Sequence, residues 1–107
     1  MEDFERKIQF ENNKQEHQLA EKLKRPSMYS VMLLNDDYTP MDFVVLLLES
    51  YFYKSHEDAM KIMMDTHQKG QGCCGTFTKD VAETKMTQVV EEAKRNNYPL
   101  KCTLRKE

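Results

Sequence analysis

A chain of 107 residues with 39% hydrophobic and 32% charged side chains has room for one modest domain and a tail. Its net charge of -2, with both signs interspersed, argues against sequence-independent nucleic-acid binding, which needs clustered Lys and Arg to neutralise phosphates. The longest apolar run, Phe43 to Leu48, falls far short of a membrane span, and the start, rich in Glu and Lys, has no signal- or transit-peptide pattern, so a cytoplasmic location is expected.

Residues 1–25 differ in composition from the rest. Phe4, Ile8, Phe10, Leu19 and Leu23 are too sparse among charged residues, Gln and Asn to build a core, so a flexible N-terminal extension is expected. Pro26 ends it by biasing Arg25 toward extended backbone. A domain over 26–107 follows. Met28 to Leu34 is predicted to be a strand ending in the turn Asn35-Asp36-Asp37. Thr39 can cap a helix from Pro40 to about Tyr53, with Phe43, Val44, Leu47, Leu48 and Tyr51 on its buried face. Ser55 can cap a second helix that runs to Lys69 and stops at Gly70, with Glu57 and Asp58 well placed in its first turn.

Gly72 to Thr78 reads as a short strand. Thr78 can then cap a third helix to about Asn97, with Ala82, Met86, Val89, Val90 and Ala93 at helical spacing. Pro99 stops that helix, and Leu100 to Arg105 is the last strand. The order βααβαβ predicts an α+β domain, a three-stranded antiparallel sheet packed with three helices.

The usual signatures of catalysis are missing from the sequence. It has no GxxxxGK[ST] phosphate loop, no GxGxxG, no CxxC and no HExxH, so no cofactor, metal or enzymatic activity is expected. His67, Cys73, Cys74 and Cys102 make a poor metal site, because adjacent residues on a strand point to opposite faces. Three cysteines, two of them adjacent, are also a poor disulfide framework, and Cys74 and Cys102 read as small core residues in a reducing compartment. A hydrolase using Cys74 and His67 lacks both an oxyanion-hole motif and a third orienting residue.

Three segments can converge on one binding pocket. They are Asn35-Asp36-Asp37 after the first strand, Met41 and Val44 at the start of the first helix, and Met63 and His67, which share a face of the second helix at i, i+4. Asn35, Asp36 and His67 would form a polar rim, and the Met and Val side chains an apolar wall. Each piece also has an ordinary structural reading as a turn, a core methionine or a buried histidine.

The runs Pro26-Ser27-Met28-Tyr29 and Leu33-Leu34-Asn35-Asp36-Asp37-Tyr38-Thr39-Pro40-Met41 closely resemble the bacterial ClpS adaptor family. So do His67 with Gly70, Cys74-Gly75 to Phe77-Thr78, Val81-Ala82-Glu83-Thr84-Lys85, and Pro99-Leu100 to Cys102-Thr103-Leu104. The likeness spans about residues 26–106 in order.

The resemblance implies an adaptor for N-degrons, substrates that begin with Leu, Phe, Tyr or Trp, delivered to a ClpA-type unfoldase and its ClpP peptidase. It implies that Asn35, Asp36 and His67 hold the free α-amine. An ammonium offers only donors, so it needs such acceptors around it. It further implies that Leu33, Met41, Val44, Met63, Thr66 and Leu100 line the side-chain pocket, with Met41 as a gatekeeper against Ile and Val, while Asp37 and Thr39 hold the loop.

Thr66 departs from the aliphatic residue many members carry. Its hydroxyl needs a partner; the expectation is a preference moved toward Tyr over Phe, the alternative being that it bonds a helical carbonyl and changes nothing. Protonating His67 would remove an acceptor, so binding is expected to weaken as pH falls through the ordinary imidazole range near ~6.5. Asp80, Glu83 and Lys85 match positions that dock to the N-terminal domain of the unfoldase, of ClpA type or ClpC type, and the resemblance gives the N-terminal extension a part in delivery. The alternative is a protein-interaction domain of similar fold, such as the ribosomal stalk protein's C-terminal domain, which would not require Asn35, Asp36 and His67 together.

Overall fold

The computed structural model describes residues 26–107; the extension expected over 1–25 lies outside the described residues. Strand β1 is Met28–Leu34, helix α1 Met41–Phe52, helix α2 His56–Lys69, strand β2 Gln71–Thr78, helix α3 Lys79–Arg95 and strand β3 Lys101–Lys106. The order is the expected βααβαβ. The strands form one antiparallel sheet, β2-β1-β3, with β1 in the centre. A bulge between Val31 and Met32 leaves Cys74 as the extra residue on β2. Cys73 is exposed and Cys74 fully buried, as neighbours on opposite faces of a strand should be.

The core gathers Val31 and Leu33 from β1, Val44, Val45, Leu47, Leu48 and Phe52 from α1, and Ala59 and Met63 from α2. Cys74, Ala82, Val89, Ala93 and Leu100 complete it. Helix α1 packs against both α2 and α3, so its buried face is wider than one stripe; Val45 and Phe52 fall inside it, and Phe43 and Tyr51 lie at its edge. Two contacts fasten that edge. Phe43 meets Tyr98 edge-on with ring centroids 4.7 Å apart, and the Tyr51 hydroxyl donates to Glu92 on α3 at 2.9 Å.

The helix ends decide where the loops sit. Ser55 caps α2 as expected, accepting from the Asp58 N–H at 3.1 Å, and Gly70 closes it in the left-handed region at φ 88°. Thr39 does not cap α1. Its hydroxyl and its N–H both go to the Asp36 carboxylate, so Pro40 is the cap residue and the helix begins at Met41. Thr78 occupies the cap position of α3, but its side chain makes no capping bond. Helix α3 ends at Arg95, two residues before the expected Asn97, which adopts a left-handed conformation at φ 62°. Leu100 lies just before β3 and belongs to the core.

Candidate functional site

The loop between β1 and α1 is held by one carboxylate. Asp36 Oδ1 accepts from the Tyr38 N–H at 2.8 Å and the Thr39 N–H at 2.7 Å, and Oδ2 accepts from the Thr39 hydroxyl at 2.7 Å. Partial burial alone would raise the Asp36 pKa. The bonds from the Thr39 hydroxyl, the Thr39 N–H and the Tyr38 N–H outweigh it and hold the carboxyl below its ordinary value of 3.8. One residue earlier, the Asn35 N–H donates to the Gly70 carbonyl at 3.0 Å. That bond ties the end of β1 to the C-terminal cap of α2, the turn that carries His67.

These ties frame a cleft of about 170 Å³ lined by Asn35, Asp36, Asp37 and Thr39 from the loop, Met41 and Val44 from α1, and Met63, Thr66 and His67 from α2. The three segments expected to converge do converge. Asn35 and His67 present exposed side chains at the rim, Met63 and Val44 are buried at the wall, and Met41 is 43% exposed at the mouth. Leu33 and Leu100, expected in the pocket, are not among its lining. Both side chains, only 1% and 4% exposed, are turned into the core beneath the sheet's helical face. Asp37 and Thr39, expected to hold the loop, also line the cleft.

Thr66 is buried, and its hydroxyl donates to the Ile62 carbonyl one turn back at 2.8 Å. Of the two partners open to it, the ligand and a helical carbonyl, the hydroxyl takes the carbonyl.

The arrangement suits a small cation with an attached apolar group. Oxygen and nitrogen acceptors and thioether and alkyl groups line the same small cleft. It does not suit cysteine chemistry. Burial pushes the Cys74 thiol far up and the Cys102 thiol up to about 12, which leaves neither a thiolate at neutral pH. Among the described residues no group of three His, Cys, Asp or Glu stands close enough to hold a metal ion, and no helix is long and apolar enough to cross a membrane.

The expected docking residues lie on the first two turns of α3. Asp80 and Glu83 are exposed. Lys85 is half-buried and engaged: its ammonium donates to the Tyr51 carbonyl at 2.7 Å and sits 4.9 Å from the centre of the Tyr53 ring. It therefore closes the C-terminal end of α1, a structural use that sequence reading missed.

Comparison with known proteins gives one answer. The family model for ATP-dependent Clp protease adaptor protein ClpS matches residues 24–103. The ATP-dependent Clp protease adapter protein ClpS of Phenylobacterium zucineum is 56% identical over 90 residues, covering 84% of this chain and 83% of the relative. That of Caulobacter sp. strain K31 is 56% identical over 86 residues, covering 80% of this chain and 79% of the relative. Among solved structures, Agrobacterium tumefaciens ClpS2 bound to L-phenylalaninamide superposes with a TM-score of 0.75 at 38% identity, covering 78% of this chain and all of the neighbour.

Proposed function

The chain belongs to the ClpS family of ATP-dependent Clp protease adaptor proteins, and we propose that it binds proteins by a free N-terminal Leu, Phe, Tyr or Trp and carries them, in the cytoplasm, to a ClpA-type or ClpC-type unfoldase. The observation that carries this reading is the cleft, which brings Asn35, Asp36 and His67 together with Met41, Val44 and Met63. A relative of the same fold is bound to L-phenylalaninamide, a molecule with a free α-ammonium, a benzyl group and an amide in place of the next peptide bond.

The α-ammonium is held by the side-chain oxygen of Asn35, the neutral imidazole of His67 and the negative charge of Asp36. The carboxylate reaches it through water, since its oxygens already serve the loop. The first side chain enters among Met41, Val44, Met63 and Thr66. Each charge-assisted hydrogen bond contributes about 1.5–3 kcal/mol and burial of a Leu or Phe about 1.5–3 kcal/mol, against an association cost of at least about 4 kcal/mol. The balance reaches micromolar binding, which suits a carrier that must release its load. The chain performs no chemistry on that load. Asp80 and Glu83 on the exposed start of α3 offer the unfoldase a charged surface.

Fluorescence polarisation with a labelled peptide beginning with Leu, beside the same peptide N-acetylated, tests this. The free peptide binds far more tightly than the acetylated one, and Asn35→Ala combined with His67→Ala abolishes that preference. Binding indifferent to acetylation overturns the reading.

A further inference from the structure

We propose that Gly72 is a positioning residue of the cleft: having no side chain, it lets the last two turns of α2 lie against β2 and so sets where Met63, Thr66 and His67 stand relative to Asn35. The proposal rests on the reading of the cleft as the site for a free N-terminus.

Gly72 is buried and faces Leu33 across the sheet. Positive φ occurs at Gly70 and Gly75, not at Gly72, so its backbone would accept any residue. What the position cannot accept is a Cβ. Built there, that atom would overlap Thr66 Oγ1 and stand 2.9 Å from the Ile62 carbonyl oxygen and 3.4 Å from Ile62 Cγ2.

Both obstacles belong to α2, and neither yields easily. The Ile62 oxygen is backbone, and the Thr66 hydroxyl is anchored to that same oxygen at 2.8 Å. Room for a methyl group therefore comes from displacing α2 from the sheet. The displaced stretch is the one that supplies three of the cleft's residues, and its far end is tied through Gly70 to the Asn35 N–H. A binding constellation must hold to within about 0.5 Å, less than the shift that relieves such an overlap.

The test is a double-mutant cycle on Gly72→Ala and Thr66→Ala, read by affinity for free and acetylated Leu and Phe peptides and by thermal melting. In the native background Gly72→Ala weakens binding of the free peptides at least about tenfold, and the ratio of free to acetylated binding shrinks, because the amine contacts separate. In the Thr66→Ala background the overlap with the hydroxyl is gone and only the 2.9 Å approach to the Ile62 oxygen remains, so the same change costs at least about threefold less than in the native background. The rescue locates the clash at Thr66, and the fall in the free-to-acetylated ratio is what a general packing defect would not give. If Gly72→Ala alone does not fold, the double variant carries the test and must both fold and bind. Equal cost in both backgrounds, an unchanged ratio, or an unfolded double variant overturns the proposal. Failure of the native chain to distinguish free from acetylated peptide strikes instead at the reading of the cleft, and is seen before any variant is made.

Discussion

Asp36 has two roles that substitution can separate: it orders the loop, and it brings negative charge to the cleft. Asp36→Ala removes both. The two bonds from Thr39 are part-buried, and at the low end of about 1.5 kcal/mol each they contribute about 3 kcal/mol; the exposed bond from Tyr38 adds little. Ordering the backbone of Thr39 costs about 1–2 kcal/mol. The net, about 1–2 kcal/mol for the loop alone, predicts roughly 5- to 30-fold weaker binding of a Leu peptide before the lost charge is counted. Asp36→Asn keeps an oxygen for the two N–H groups and loses the charge, so it should cost only about three- to fivefold, with a reduced dependence on salt. The assay is peptide affinity with amide hydrogen exchange at Tyr38 and Thr39. A loss of affinity in Asp36→Ala with unchanged exchange at Thr39 would refute the loop argument. Acid titration adds a check of sign. A carboxyl whose folded pKa is depressed contributes fully above its unfolded value, and the contribution is lost only as pH falls through the folded value, here below 3.8. Binding lost between pH ~7.5 and ~5 therefore does not come from Asp36.

Thr66→Val should leave the ratio of Tyr- to Phe-peptide affinity within about twofold of native, because the hydroxyl serves Ile62; a larger change would show that the hydroxyl reaches the ligand. Lys85→Ala should lower the melting temperature by about 4–8 °C, for about 1 kcal/mol lost at the end of α1. Asp80→Ala with Glu83→Ala should leave melting unchanged while weakening capture by the unfoldase, and a stable Lys85→Ala would contradict the capping role. Of the three thiols, Cys73 should react with a maleimide fastest in the native protein, the half-buried Cys102 slowly, and Cys74 only on unfolding; fast modification of Cys74 would place it wrongly.

The elements were legible because local chemistry and burial agree: Ser55 before the second helix and Gly70 after it act as their residue types suggest. The Asn35, Asp36, His67, Met41, Val44 and Met63 convergence was legible for the same reason, since helical spacing and turn chemistry place those residues on facing surfaces. Competition between partners was not legible. Thr39 looks like a cap, but a carboxylate three residues earlier takes its hydroxyl. Lys85 looks like a surface charge, but α1 ends beside it with an unsatisfied carbonyl. Depth was not legible either. Leu33 and Leu100 entered the expected pocket only through the family resemblance, and a strand's alternation says which face Leu33 takes and not which layer it ends in.

The geometry divides the work of recognition between a rigid part and a soft one. The loop is fixed before any ligand arrives, by the Asp36 bonds and by the tie from Asn35 to Gly70, so the backbone of the amine site has little left to order on binding. The helices contribute two methionines, the most adaptable apolar side chains, beside Val44 and Thr66, with Met41 exposed at the mouth. A fixed acceptor set discriminates steeply against a blocked N-terminus, because acetylation leaves polar groups facing no partner. The methionines discriminate weakly between Leu and an aromatic ring, because they can repack around either. Strict about the amine and tolerant among large side chains is the selectivity a carrier of several N-terminal residues requires. It follows that replacing Met41 or Met63 by a stiffer residue should narrow the set of accepted first residues more than it weakens the best of them.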